Sequence, residues 1–187
     1  SFISVLVGFS AEAACIWSGR VLKGVFFCEF VEMMEGVFGP AVSNAVIEEC
    51  KLPSDGAYTT GGSYDYREFL ALVAKLSEKS GAESRALMHD FGAFLFKRLH
   101  SRYPSFFAGC ATSFEFLTGI EGQIHNEVKK IYPDSELATF KTRQGDLDSL
   151  DMVYTSQRPF GPLALGLIEG CCQFFGEDIE IEQEDRS

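Results

Sequence analysis

The signatures of the common catalytic centres are missing from this chain. It has no HExxH pair, no G-x-S-x-G elbow, no P-loop and no G-x-G-x-x-G after a strand, so zinc hydrolysis, serine-type acyl transfer and nucleotide binding of the standard kinds have no support. Histidine is scarce: His89, His100 and His125 are the only three, and none has the spacing of a zinc site. The six cysteines (Cys15, Cys28, Cys50, Cys110, Cys171, Cys172) form no CxxC, and five of the six lie in apolar or helix-like stretches, as buried thiols do. A reducing cytoplasmic setting is expected rather than a disulfide framework. Positive charge is in deficit, 16 Lys and Arg against 27 Asp and Glu for a net charge of -11, which disfavours nucleic acid and anionic membrane as partners. A spanning segment is lacking too. The opening Ser1–Arg20 is apolar, but Glu12 interrupts it and no basic residue precedes it. Broken at Glu12, its apolar run falls short of the roughly 18–20 residues that cross a bilayer, and the expectation is a frayed or artificial extension.

What is present is apolar mass. With 187 residues, 46% hydrophobic and 18 Phe against 1 Trp and 6 Tyr, the chain suits one domain, or a domain of two subdomains, able to bury a core and line an apolar pocket. In Val25–Phe38, the residues Phe26, Phe30, Met33, Met34, Val37 and Phe38 recur at helical spacing and Gly39-Pro40 stops the run. A short helix is predicted over Val42–Cys50, then a Ser/Gly/Thr-rich loop. Asp65 is placed to cap a helix over Tyr66–Ser80 that turns Phe69, Leu70, Val73 and Leu76 inward. Helical period returns over Ser84–His100, and one long helix is predicted from Ser113 to Ile131. Beyond Pro133, Asp148–Thr155 and Asp178–Gln183 alternate or are β-branched, with a helix over Gly161–Phe175 between them. The order is α+β, helices first. The acidic turn at Gly145–Asp151 lacks the glycine and closing glutamate of a calcium loop and reads as solvated.

Two groups could carry chemistry. On a helical projection, Leu117, Ile120, Ile124, Val128 and Ile131 make one stripe, with His125 at its edge beside Phe114 and Tyr132. Spacing alone leaves His125 open between a core or surface histidine and a metal or heme ligand. In the extended segment Tyr154–Arg158, residues two apart project to one side, so the hydroxyls of Tyr154 and Ser156 and the Arg158 guanidinium converge in a set suited to carboxylates. An exposed arginine on a strand edge is the other reading.

From about Leu22 onward the chain resembles the heme-nitric oxide/oxygen binding (H-NOX, HNOB) domains of bacteria through nearly its whole remaining length. The resemblance is carried in order by LKGVFFCEF, SYDYREFLALVAKLSEKSG, IHNEVKKIYPD, YTSQR and LGLIEGCCQFF. It implies a helical N-terminal subdomain, about residues 22–85, and a C-terminal subdomain of antiparallel sheet with helices, about 86–187, with a b-type heme between them. Residues 1–21 fall outside the match. The resemblance further implies His125 as the iron ligand, Tyr154, Ser156 and Arg158 on the heme propionates, and Phe26, Phe30, Leu95, Phe96, Leu163 and Leu167 around the macrocycle. Ala138 stands where the family has a proline that presses on the heme, so a flatter heme is expected. The family continues through further strand after the one ending here, which implies an incomplete last sheet or a piece of a longer protein.

Oxygen-binding members use a distal tyrosine, which falls here on Leu163, with supporting polar positions at Phe30 and Leu95. The resemblance therefore implies a sensor of nitric oxide, also binding carbon monoxide. Nitric oxide weakens the bond to His125 opposite it, and the signal passes to a histidine kinase or a cyclic-di-GMP enzyme. It does not imply an enzyme. The alternatives are a heme peroxidase, for which Phe30, Leu95 and Leu163 supply no acid-base group, and an adaptor of the same fold that has lost its cofactor.

Overall fold

The structure is a computed structural model that describes residues 1–9, 20–145 and 148–186. Apolar periodicity placed most of the helices. The first, α1 (Gly24–Phe38), is followed by α2 (Pro40–Cys50), α3 (Tyr66–Ser80) and α4 (Ser84–Arg102), and α7 (Gly161–Phe175) lies beyond the sheet's first hairpin. Asp65 caps α3, its carboxylate accepting the backbone N–H of Arg67 at 2.9 Å. The inward face of α1 is rotated from the expected one: Phe27 is fully buried, whereas Val37 is 67% exposed.

The run expected as one helix from Ser113 to Ile131 is interrupted. It comprises α5 (Ser113–Thr118), a π-helical turn over Ile120–Ile124 and α6 (His125–Ile131). At the junction the Gly119 carbonyl accepts two N–H groups, from Gln123 at 2.9 Å and Ile124 at 3.3 Å. Gly119 and Gly122 weaken α-helical register here, and an extra residue per turn is the form that such weakness takes at functional positions.

Four strands make the main sheet in the order β4-β5-β1-β6, with β1 at Phe2–Phe9, β4 at Thr139–Gln144, β5 at Ser149–Ser156 and β6 at Glu180–Arg186. A small antiparallel pair joins β2 (Val21–Lys23) to β3 (Ser63–Asp65). Two expectations are corrected. The sheet is mixed, not antiparallel, because β4 pairs antiparallel with β5 but β1 runs parallel to both β5 and β6. Nor is Phe2–Phe9 frayed: Ile3 and Val5 are fully buried in β1, at the centre of the sheet, while residues 10–19 of the expected extension lie outside the described residues. The connection β5–α7–β6 returns the chain parallel to β5 but one strand away, and β1 fills that interval. The alternation Ile3, Val5, Val7 is the period-two signal that reading residues 1–20 as a frayed or artificial extension passed over.

Two apolar clusters result, one around Phe30, Phe69 and Phe91 and one around Phe96, Phe116 and Met152, and α4 contributes to both. Helices α4 and α7 pack backbone to backbone. A β-carbon at Gly166 would stand 1.9 Å from the His89 carbonyl oxygen, and one at Gly92 2.2 Å from that of Leu163. This contact fixes one wall of the cavity described next.

Candidate functional site

The cavity lies between α4 and α7 on one side and the His125 helical run, the following loop and β5 on the other. It holds about 240 Å³. From α4 come Leu95 and Phe96, from α7 Leu163 and Leu167, and from α1 Phe26. Opposite them stand His125, Ala138, Tyr154, Ser156 and Arg158. Of the residues singled out from sequence, only Phe30 is not brought to the cavity. It is fully buried one layer behind, edge-on to Phe69 at 5.0 Å and to Phe91 at 5.1 Å.

His125 opens α6 directly after the π turn. Its side chain is 16% exposed, and its Nδ1 lies 3.4 Å from Oε1 of Glu121. Burial pushes the imidazole pKa below the usual value, opposed by the Glu121 carboxylate. The His125 ring is 6.0 Å from that of Phe140, which is in turn 5.1 Å from the Tyr154 ring.

Strand alternation builds the second group. Leu150, Met152 and Tyr154 are the buried residues of β5, and Ser156 continues the same face at its end. Burial raises the Tyr154 pKa, so the phenol is neutral and can donate. The backbone N–H of Arg158 donates to Ser156 Oγ at 3.0 Å, which holds the turn into α7. The Arg158 guanidinium, buried, donates to the carbonyls of Val21 at 2.7 Å and Glu136 at 3.2 Å, and to Oε2 of Glu136 at 3.2 Å. Burial lowers its pKa, and the Glu136 carboxylate opposes that shift first among its neighbours. Its partners thus include one carboxylate, that of Glu136, which is 39% exposed.

Sequence reading missed three polar residues here. Glu121 and Glu136 are the partners just described, and Glu121 precedes His125 by four residues, a spacing that itself announces a contact on a helix. Ser135 lines the cavity with a buried Oγ that has no hydrogen-bond partner among the described residues. No group of three or more His, Cys, Asp or Glu able to hold a bare metal ion occurs among the described residues. A single imidazole on an apolar cavity, two hydroxyls and a guanidinium lining the same cavity and an orphaned hydroxyl in its wall fit a metallated macrocycle with acidic substituents, in which the macrocycle would supply the remaining donors.

Comparison with known proteins agrees. The sequence profile described as Haem-NO-binding matches residues 23–183. Among solved structures, the Fe(II) unliganded H-NOX protein mutant A71G from K. algicida is 35% identical with a TM-score of 0.78, over 83% of this chain and 84% of that one. The H-NOX from Shewanella woodyi, bound to IWP-051 in the Fe(II)CO state, is 38% identical with a TM-score of 0.74, over 84% and 83%. The S. oneidensis protein in the Fe(II)NO state is 26% identical with a TM-score of 0.77, over 83% and 86%. No curated protein sequence matches. The chain belongs to the haem-NO-binding, or H-NOX, family of heme-binding gas-sensor domains. Among the described residues, no helix is long and apolar enough to cross a membrane.

Proposed function

We propose that this domain senses nitric oxide at a ferrous b-type heme, with His125 as the iron ligand and Tyr154, Ser156 and Arg158 holding the propionates. The observation that carries this reading is the convergence of these four residues on one apolar cavity, from a helix, a strand and the turn that follows it. When bound, heme would supply a ferrous iron able to take a diatomic gas. His125 offers the imidazole nitrogen that holds that iron. Tyr154 and Ser156 offer hydroxyls, and Arg158 its fork, to the carboxylates at the rim.

Leu95, Leu163 and Leu167 present no donor from α4 and α7. A hydrogen bond to a charged acceptor is worth roughly 1.5–3 kcal/mol, and oxygen needs that bond where nitric oxide does not. Nitric oxide is therefore favoured, with carbon monoxide as a second ligand. A weaker hold by His125 then lets its helical run relax against the α4–α7 wall, and that movement is the signal. Ala138 puts a methyl group on the cavity wall where a proline ring would press harder, so the strain released is small. The receiver, on the family resemblance, is a histidine kinase or a cyclic-di-GMP enzyme. A cytoplasmic place suits the five described cysteines, all free.

Ferrous spectra recorded unligated and then with nitric oxide, carbon monoxide and air test this reading. Nitric oxide and carbon monoxide should each shift the Soret band while air leaves it at the unligated position. A stable oxygen complex in air overturns the selectivity, and folded protein that takes up no heme overturns the whole.

A further inference from the structure

His125 needs one particular proton arrangement to act as proposed. A neutral imidazole carries its proton on one of two nitrogens, and only the other can bind a metal. Nδ1 faces the Glu121 carboxylate at 3.4 Å. Glu121 is itself fixed, because its Oε1 accepts the backbone N–H of Phe140 at 2.5 Å, which ties the π turn to β4. Glu121 lies within the π turn, and its Oε1 is the atom that faces both the strand and the ring. Lys129 also faces the imidazole from its own helix, and Phe140 packs against it from β4.

We propose that Glu121 is the positioning residue for His125: it accepts the Nδ1–H, so that Nε2 carries the lone pair directed to iron. This rests on His125 being the iron ligand. A carboxylate accepting that proton raises the donor strength of the imidazole, as partners of metal-bound histidines do. Glu121 thereby strengthens the bond that nitric oxide must weaken and sets the threshold of the response. The same carboxylate links the ligand to β4 and, through Phe140, to the Tyr154 side of the site.

The test uses heme-loaded ferrous protein, wild type, Glu121→Ala and Glu121→Gln. Resonance Raman reads the iron–histidine stretch, and NMR of the diamagnetic carbon monoxide complex reads exchange of the Nδ1–H with solvent. In Glu121→Ala the stretch should fall in frequency, the Nδ1–H should exchange faster, and the nitric oxide complex should hold a larger five-coordinate share. Glu121→Gln keeps an amide oxygen as acceptor and the contact with Phe140, and should recover part of each effect. A wild-type stretch that is unchanged in both variants overturns the role of Glu121 alone. No iron–histidine stretch in the wild type overturns this inference together with the proposed ligand.

Discussion

The two sides of the cavity are built by opposite means. On one, α4 and α7 approach until Gly92 and Gly166 leave no room for a β-carbon, so the apolar wall is set by backbone contact. On the other, α6 contains no buried residue, and the turn before it has slipped into π register. A wall that cannot shift thus faces an arm, carrying His125, that few contacts hold. The contrast suits a sensor: displacement of His125 is cheap, and the opposite wall gives it something fixed to move against.

The comparison can be broken most severely at the rigid wall. Gly166→Val drives two methyl groups toward the His89 carbonyl and should cost about 3 kcal/mol, the upper part of the range for overpacking, read as a lowered denaturation midpoint. A midpoint within error of wild type would mean that the α4–α7 contact is not rigid. The chemical character of that wall is tested by Leu163→Tyr, which places a phenol at the cavity. Oxygen affinity of the ferrous protein should rise roughly tenfold or more, in keeping with a charge-assisted hydrogen bond. No change in the aerobic spectrum would remove Leu163 as the residue that excludes oxygen. The arm offers the smallest effect. A β-carbon at Gly122 meets nothing within 4 Å, so Gly122→Ala should be tolerated and raise stability by about 0.5 kcal/mol through helix propensity. A loss of stability there would show that the π turn is as tightly constrained as the wall.

How much of this was legible in the sequence differs between the same two sides. Helices α1, α3 and α7 followed from apolar period, caps and stops, since one packed face decides a long amphipathic segment. The π turn was not legible, because Leu117, Ile120, Ile124 and Val128 keep an ordinary helical stripe and only the hydrogen bonds reveal the slip. Strand β1 was missed because its place depends on β5 and β6, nearly the whole chain away. Phe30 lies behind the cavity in this structure, which its spacing could not tell, because a helical face shows which residues are buried, not whether they meet the core or an empty space. At the site, spacing left both His125 and the Tyr154–Arg158 trio open. The ordered resemblance raised them, and the fold then placed all four on one cavity. Glu136 and Ser135 could not be read, since a loop after Tyr132 gives no period from which to infer direction.

Ligation of heme by His125, as proposed, can be tested by substitution with an added free ligand. In His125→Gly loaded with heme, the ferrous spectrum should lose its histidine-ligated character, and added imidazole should restore it. A ferrous spectrum and iron–histidine stretch unchanged by the substitution would contradict the account.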